Sequence, residues 1–237
     1  MAGHSKWANI KHKKAKEDAK RGQTFTKIIK EITVCAKAGG IPENNPQLRQ
    51  LIEKAKEANM PAENIIRAVK KGTGELPGVN YEAITYEGYG PGGTALIIEA
   101  LTDNKNRTVA DLRHIFGRHN GNLAETGSVN WMFEKLGVIR GNAQGKKEDE
   151  IFEALLDFDV QDLQIEDNFV TITTSMQSIQ QVTEAVKNLG IKVEHSELEW
   201  VAKNNLEVTE EIEEKAFALF EALEDNDDVQ NVYSNLN

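Results

Sequence analysis

Apolar residues recur at helical spacing once the chain passes residue 24. Phe25, Ile28, Ile29, Ile32 and Cys35 fall on one helical face, and Gly39-Gly40 stops the pattern. Asn45-Pro46 has the form of an N-cap followed by a first-turn proline, and Leu48, Leu51, Ile52 and Ala55 continue as one stripe. Pro61 opens a third amphipathic segment with Ile65, Ile66 and Val69 inward and Gly72 at its end. None of these short helices can bury its apolar face alone, so the spacing predicts a helical domain over residues 1–77.

The pattern changes after the turn-rich Gly72–Gly78. Residues 81–87 and 94–101 read as strands joined by Gly88-Tyr89-Gly90-Pro91-Gly92-Gly93. A helix follows from Asn106 to about His119, with Thr108 and Asp111 spaced as a capping box, and residues 128–133 read as a third strand. From Val138 the order is strand, helix, two strands joined through Asp167-Asn168, helix and strand. That β-α-β-β-α-β order is ferredoxin-like. A helix capped by Thr209 and a strand over 229–233 close the chain.

The expected fold class is α+β: a three-helix N-terminal domain and two mixed domains. Residues 81–136 lack elements that 206–237 can supply, so 138–204 is predicted to be a ferredoxin-like insertion within a domain made of those two pieces.

Charge sharpens this picture. Residues 1–30 hold nine Lys and Arg against two acids, within a chain of net charge −10. Through Lys71 the count is sixteen against seven; the remaining residues carry twelve against thirty-one. Such polarity points to a polyanionic partner at the basic end. Residues 1–22 lack a helical apolar pattern and read as a basic arm, with Trp7 and His12 set among the lysines. Lysines there can neutralise phosphates while an indole stacks on a base. The candidate nucleic-acid contacts are Lys6, Trp7, Lys11, His12, Lys13, Lys14, Lys16, Lys20, Arg21, Lys27 and Lys30. Arg107 and Arg113 form a secondary group; with Arg118 they do not make one clean helical stripe, since Arg113 lies six residues after Arg107.

Other chemistry finds little support. The Gly88–Gly93 loop matches G-x-G-x-x-G, but a strand follows it rather than a helix, so it reads as a hairpin turn and not a dinucleotide site. The five histidines are scattered, Cys35 sits on an apolar stripe, and no nucleophile, base and oxyanion set assembles. Neither catalysis nor a cofactor, metal or small-molecule substrate is expected. A single cysteine fits a reducing compartment. No apolar run is long enough to span a membrane, and the basic start favours Lys over the Arg of a mitochondrial presequence. The expected location is cytoplasmic.

Four separated stretches resemble the YebC/PmpR family. They are Ala2-Gly3-His4-Ser5-Lys6-Trp7 with Ile10-Lys11-His12-Lys13-Lys14; Tyr86-Glu87-Gly88-Tyr89-Gly90-Pro91-Gly92-Gly93; Asn106-Arg107-Thr108; and Gly121-Asn122-Leu123-Ala124-Glu125-Thr126-Gly127-Ser128-Val129. The resemblance implies a three-domain α+β protein of the bacterial cytoplasm that binds DNA as a transcriptional regulator. It equally implies an RNA- or ribosome-bound translation factor, because a mitochondrial relative is a translational activator. By that resemblance Lys6, Trp7, Lys11, His12, Lys13 and Lys14 carry the function, with Arg107 beside them. DNA and ribosomal or messenger RNA both remain open as partners.

Overall fold

The computed structural model describes residues 21–236. Three helices come first: α1 (Arg21–Cys35), α2 (Pro46–Glu57) and α3 (Ala62–Gly72). Asn45 caps α2 by accepting from Leu48 N at 3.1 Å, and its amide donates to Cys35 O and Gly39 O at the end of the preceding helix. One side chain thus finishes one helix and starts the next. Ile28, Ile32, Leu48, Ala55, Ile65 and Ala68 form the shared core.

Two four-stranded sheets follow. The first holds β1 (Glu82–Tyr89), β2 (Ala95–Thr102), the short β3 (Asn122–Ala124) and the closing β8 (Val229–Ser234), in the order β3-β1-β2-β8. Between β2 and β3 lies α4 (Lys105–Arg118), and α7 (Glu210–Glu224) precedes β8. These helices touch each other and fully bury Leu112, Phe116, Leu219 and Phe220. The second sheet contains β4 (Phe133–Asn142), β5 (Val160–Glu166), β6 (Phe169–Thr174) and β7 (Lys192–Ala202), ordered β5-β6-β4-β7 with every pairing antiparallel. Helices α5 (Glu148–Ala154) and α6 (Ile179–Asn188) pack on one face, where Ile139, Val170, Ile172, Ile151, Val182 and Val186 make the core. This is the ferredoxin-like arrangement. Asp167 and Asn168 both take positive φ in its two-residue hairpin, as a turn matched to strand twist requires.

Three details differ from the sequence pattern. Ile66, expected inward on α3, is 55% exposed. Residues 128–132 do not form a strand: Asn130–Met132 is a single 3₁₀ turn, Phe133 begins β4, and the edge strand beside β1 is Asn122–Ala124. The helix-capping side chain of α4 is Asn104, which accepts from Arg107 N at 3.1 Å. Thr108 sits inside the helix, its hydroxyl turned to a buried carboxylate.

By internal contacts the chain makes two compact units: residues 21–128 with 208–232, and residues 129–207 with 233–236. The three-helix bundle and the first sheet belong to the same unit. No helix among the described residues is long and apolar enough to cross a membrane.

Candidate nucleic-acid interface

The arm residues Lys6, Trp7, Lys11, His12, Lys13, Lys14, Lys16 and Lys20 lie outside the described residues, and so does the Arg21 side chain. The described candidates are Lys27, Lys30, Arg107 and Arg113, and they divide sharply.

Lys27 and Lys30 point into the unit. Gln23, Lys27 and Lys30 share one face of α1. Gln23 Nε2 donates to Asp225 O at 3.2 Å and Lys27 Nζ to Glu224 O at 2.8 Å, both at the C-terminal end of α7. A cation there meets the unsatisfied carbonyls and negative pole of the helix. Lys30 is 6% exposed, and its ammonium donates to Leu101 O, Asp227 O and, at 2.7 Å, Asp228 Oδ1. Its expected role as a phosphate contact is therefore corrected. An ammonium this far from water is held by a fixed carboxylate and cannot meet a phosphate without unfolding its surroundings.

Asp228 is the centre of that cluster. Besides Lys30 it accepts from Arg107 Nη2 at 2.8 Å and Thr108 Oγ1 at 2.8 Å, with Thr102 Oγ1 at 3.3 Å. Burial alone would raise its carboxyl pKa. Hydrogen bonds from Lys30, Arg107 and Thr108 outweigh that and hold it down at about 2. The same bonds push the Arg107 guanidinium above its ordinary value. Thus α1, the end of β2, the start of α4 and the α7–β8 turn meet at one carboxylate. Sequence reading missed it, because Asp228 ends the run Asp225-Asn226-Asp227-Asp228, which looks like a solvated acidic loop.

Arg107 and Arg113 face outward. Arg107 keeps 47% of its side chain exposed, and its bonds to Asp103 and Asp228 are made through Nη2. Arg113, His114 and Arg118 are exposed on the same outward side of α4. Spacings of seven and four place Arg107, His114 and Arg118 along one stripe, with Arg113 on the other flank. Ala110 and Gly117 lie between the flanks, and a Cβ built on Gly117 meets nothing within 4 Å.

The motif residues around Gly88–Gly93 and Gly121–Val129 have a structural job. Glu87 Oε1 accepts from Gly127 N at 2.7 Å, and Tyr89 donates its hydroxyl hydrogen to Ser128 O at 3.0 Å. A Cβ on Gly88 would lie 2.5 Å from the Phe116 ring, and one on Gly121 would lie 2.7 Å from Tyr89 O. These glycines allow β1, β3 and α4 to close on one another, and the Gly90–Gly93 turn leads into β2, a strand and not a helix.

The ferredoxin-like unit has its own buried charge cluster. Arg140, 1% exposed, makes a two-pronged pair with Glu199, whose second contact, Nη2 to Oε2, is 2.9 Å. His195 Nε2 stands 3.1 Å from Glu199 Oε1. Burial would raise the Glu199 carboxyl pKa, but the Arg140 charge and the His195 hydrogen bond keep it below the usual carboxylate range.

Known proteins resemble the chain throughout. Residues 5–75 match the model of the TACO1/YebC protein N-terminal domain, and residues 81–236 match that of the TACO1/YebC second and third domain. A protein of Thermoanaerobacter pseudethanolicus is 52% identical over 100% of this chain and 97% of its own length. One of Persephonella marina is 53% identical over 99% of this chain and 95% of its own. Both are named probable transcriptional regulatory proteins. The crystal structure of a conserved hypothetical protein, Aq1575 of Aquifex aeolicus, superposes with a TM-score of 0.87 at 44% identity, covering 98% of this chain and 97% of that one. With these matches spanning both the helical bundle and the two sheets, the chain belongs to the TACO1/YebC family.

Proposed function

We infer that this protein is a non-enzymatic regulator that binds DNA in the cytoplasm and acts on transcription. The observation that carries the reading is the charge distribution: nine cations against two acids in the first thirty residues of a chain of net charge −10. A segregation of that size favours a polyanion at the leading end and weakens attraction for it elsewhere. The contacts are Lys6, Trp7, Lys11, His12, Lys13, Lys14, Lys16, Lys20 and Arg21 on the arm. The names of the relatives support a regulatory role. Lys27 and Lys30 serve instead to hold α1 in place.

Crosslinking in cells, followed by sequencing of the bound nucleic acid, tests the reading. Recovery of chromosomal DNA fragments is the expected result. Recovery of ribosomal or messenger RNA alone would replace it with a translation-factor reading. In purified protein, changing Lys11, Lys13 and Lys14 together to Glu is expected to weaken DNA binding roughly ten- to a hundred-fold at moderate salt. Unchanged affinity would remove the arm from the interface.

A further inference from the structure

We propose that the outward face of α4 is a second DNA-contacting surface, one that seats in the major groove of a B-form duplex. The proposal deepens the DNA-binding reading above and rests on it. The cations come first. Arg107 and Arg118 stand about three helical turns apart on one flank, with His114 between them, and Arg113 occupies the other flank. Of the nearby carboxylates, Asp103 and the buried Asp228 are both paired with Arg107, and Asp111 is half-buried at the margin of the face. That leaves Arg113 and Arg118 as the cations of the face with no such partner among the described residues. In a chain of net charge −10, a helix face that collects three arginines is a local reversal of sign. Such a face is complementary to two rows of phosphate.

The shape between the flanks fits the same partner. Ala110 and Gly117 make the ridge smooth. Gly117 is helical and exposed, and it has no neighbour within 4 Å that a methyl group would strike. Glycine in a helix is destabilising relative to alanine, so internal packing gives no reason for it here. Close approach by a partner does. The helix spans 14 residues, about 21 Å, and the major groove, about 12 Å wide, admits an α-helix. The one ring on this face is the His114 imidazole; with no Phe, Tyr or Trp beside it, the face offers no run of stacking surfaces for successive bases of a single strand. The deep, narrow major groove of A-form RNA excludes a helix.

The support beneath the face is rigid. Thr108, Leu112 and Phe116 on the opposite side of α4 are all 0% exposed, and the Asp228 cluster fixes its first turn. The cations are therefore presented on a fixed scaffold, which lowers the entropy lost on binding.

The test uses the full chain and a labelled mixed-sequence DNA duplex several turns long, with the matching single strand and an RNA hairpin as comparisons. Arg113→Glu with Arg118→Glu is expected to weaken duplex binding at least tenfold and to reduce the salt-dependence slope by about 2. Gly117→Ala separates this surface from a merely structural one. It is expected to raise the thermal midpoint while weakening duplex binding. Variants that leave duplex affinity unchanged, while wild type binds and the Lys11, Lys13 and Lys14 change weakens it, would overturn the α4 surface and leave the parent reading standing. Failure of wild type to bind any of the three probes would overturn both. Equal losses on the RNA hairpin would overturn the assignment of duplex DNA as the partner.

Discussion

Asp228 and Glu199 are both buried carboxylates kept ionised by basic partners, but they are assembled in opposite ways. Glu199 finds Arg140 on the adjacent strand and His195 four residues earlier on its own strand. Its cluster fastens one sheet to itself. Asp228 gathers Lys30, Thr102, Arg107 and Thr108, which come from a helix of the bundle, a strand end and the helix after it. Its cluster fastens the bundle to the first sheet. The first kind of cluster sets how well a single sheet holds. The second sets whether separately formed elements stay docked, so it is the one whose loss should loosen α1 selectively.

The largest expected effect is at Glu199. Glu199→Ala removes the two-pronged carboxylate partner of a buried arginine, and is expected to cost about 3–5 kcal/mol in urea unfolding. Hydrogen exchange should rise across β4 and β7. A loss below about 1 kcal/mol would show that the pair adds little. Asp228→Ala is expected to cost somewhat less, about 2–3 kcal/mol, because Arg107 is half exposed and keeps Asp103. Its signature should be faster exchange in α1, with β4 and β7 unchanged. Identical exchange patterns for the two variants would erase the distinction drawn above.

Acid should act on the Asp228 cluster next. Its folded pKa of about 2 lies below the ordinary value of 3.8, so the native state binds fewer protons than the unfolded state in that window. Its contribution is fully present above about pH 4 and is lost as pH falls toward 2, a change on the order of 2 kcal/mol. Asp228→Asn should flatten that part of the stability profile. A wild-type slope retained in the variant would assign the titration to other carboxylates. Arg107→Ala is the smallest change, expected to cost about 1 kcal/mol, because the guanidinium is half in water. A cost above about 3 kcal/mol would make Arg107, and not Lys30, the principal counter-charge of Asp228.

Much of the fold was legible because it is written in local periodicity. The stripe through Ile28 and Ile32, the Asn45-Pro46 start, and the short apolar run of β2 bounded by turn residues each depend on residues a few positions apart. The capping side chain of α4 was misread for a local reason as well: Thr108 and Asp111 have capping-box spacing, but Asn104 is the residue in extended backbone geometry. β3 was missed because three residues are too few to show alternation. Among the candidate cations, Lys27 and Lys30 looked the same in sequence as Arg107 and Arg113, yet the structure turns the first two inward and leaves the other two exposed. Nothing within several turns of Lys30 marks it as buried, because its carboxylate lies 198 residues away.

The amino-acid order by itself determined most of the helices and strands, the two-residue turn at Asp167-Asn168, and the separation of positive from negative charge along the chain. Those follow from steric preferences and composition, which act over short distances or on simple sums. Only the tertiary structure decided which cations face solvent. A lysine's role depends on whether a distant carboxylate reaches it before water does, and that is settled by how α1, β2, α4 and the α7–β8 turn pack together.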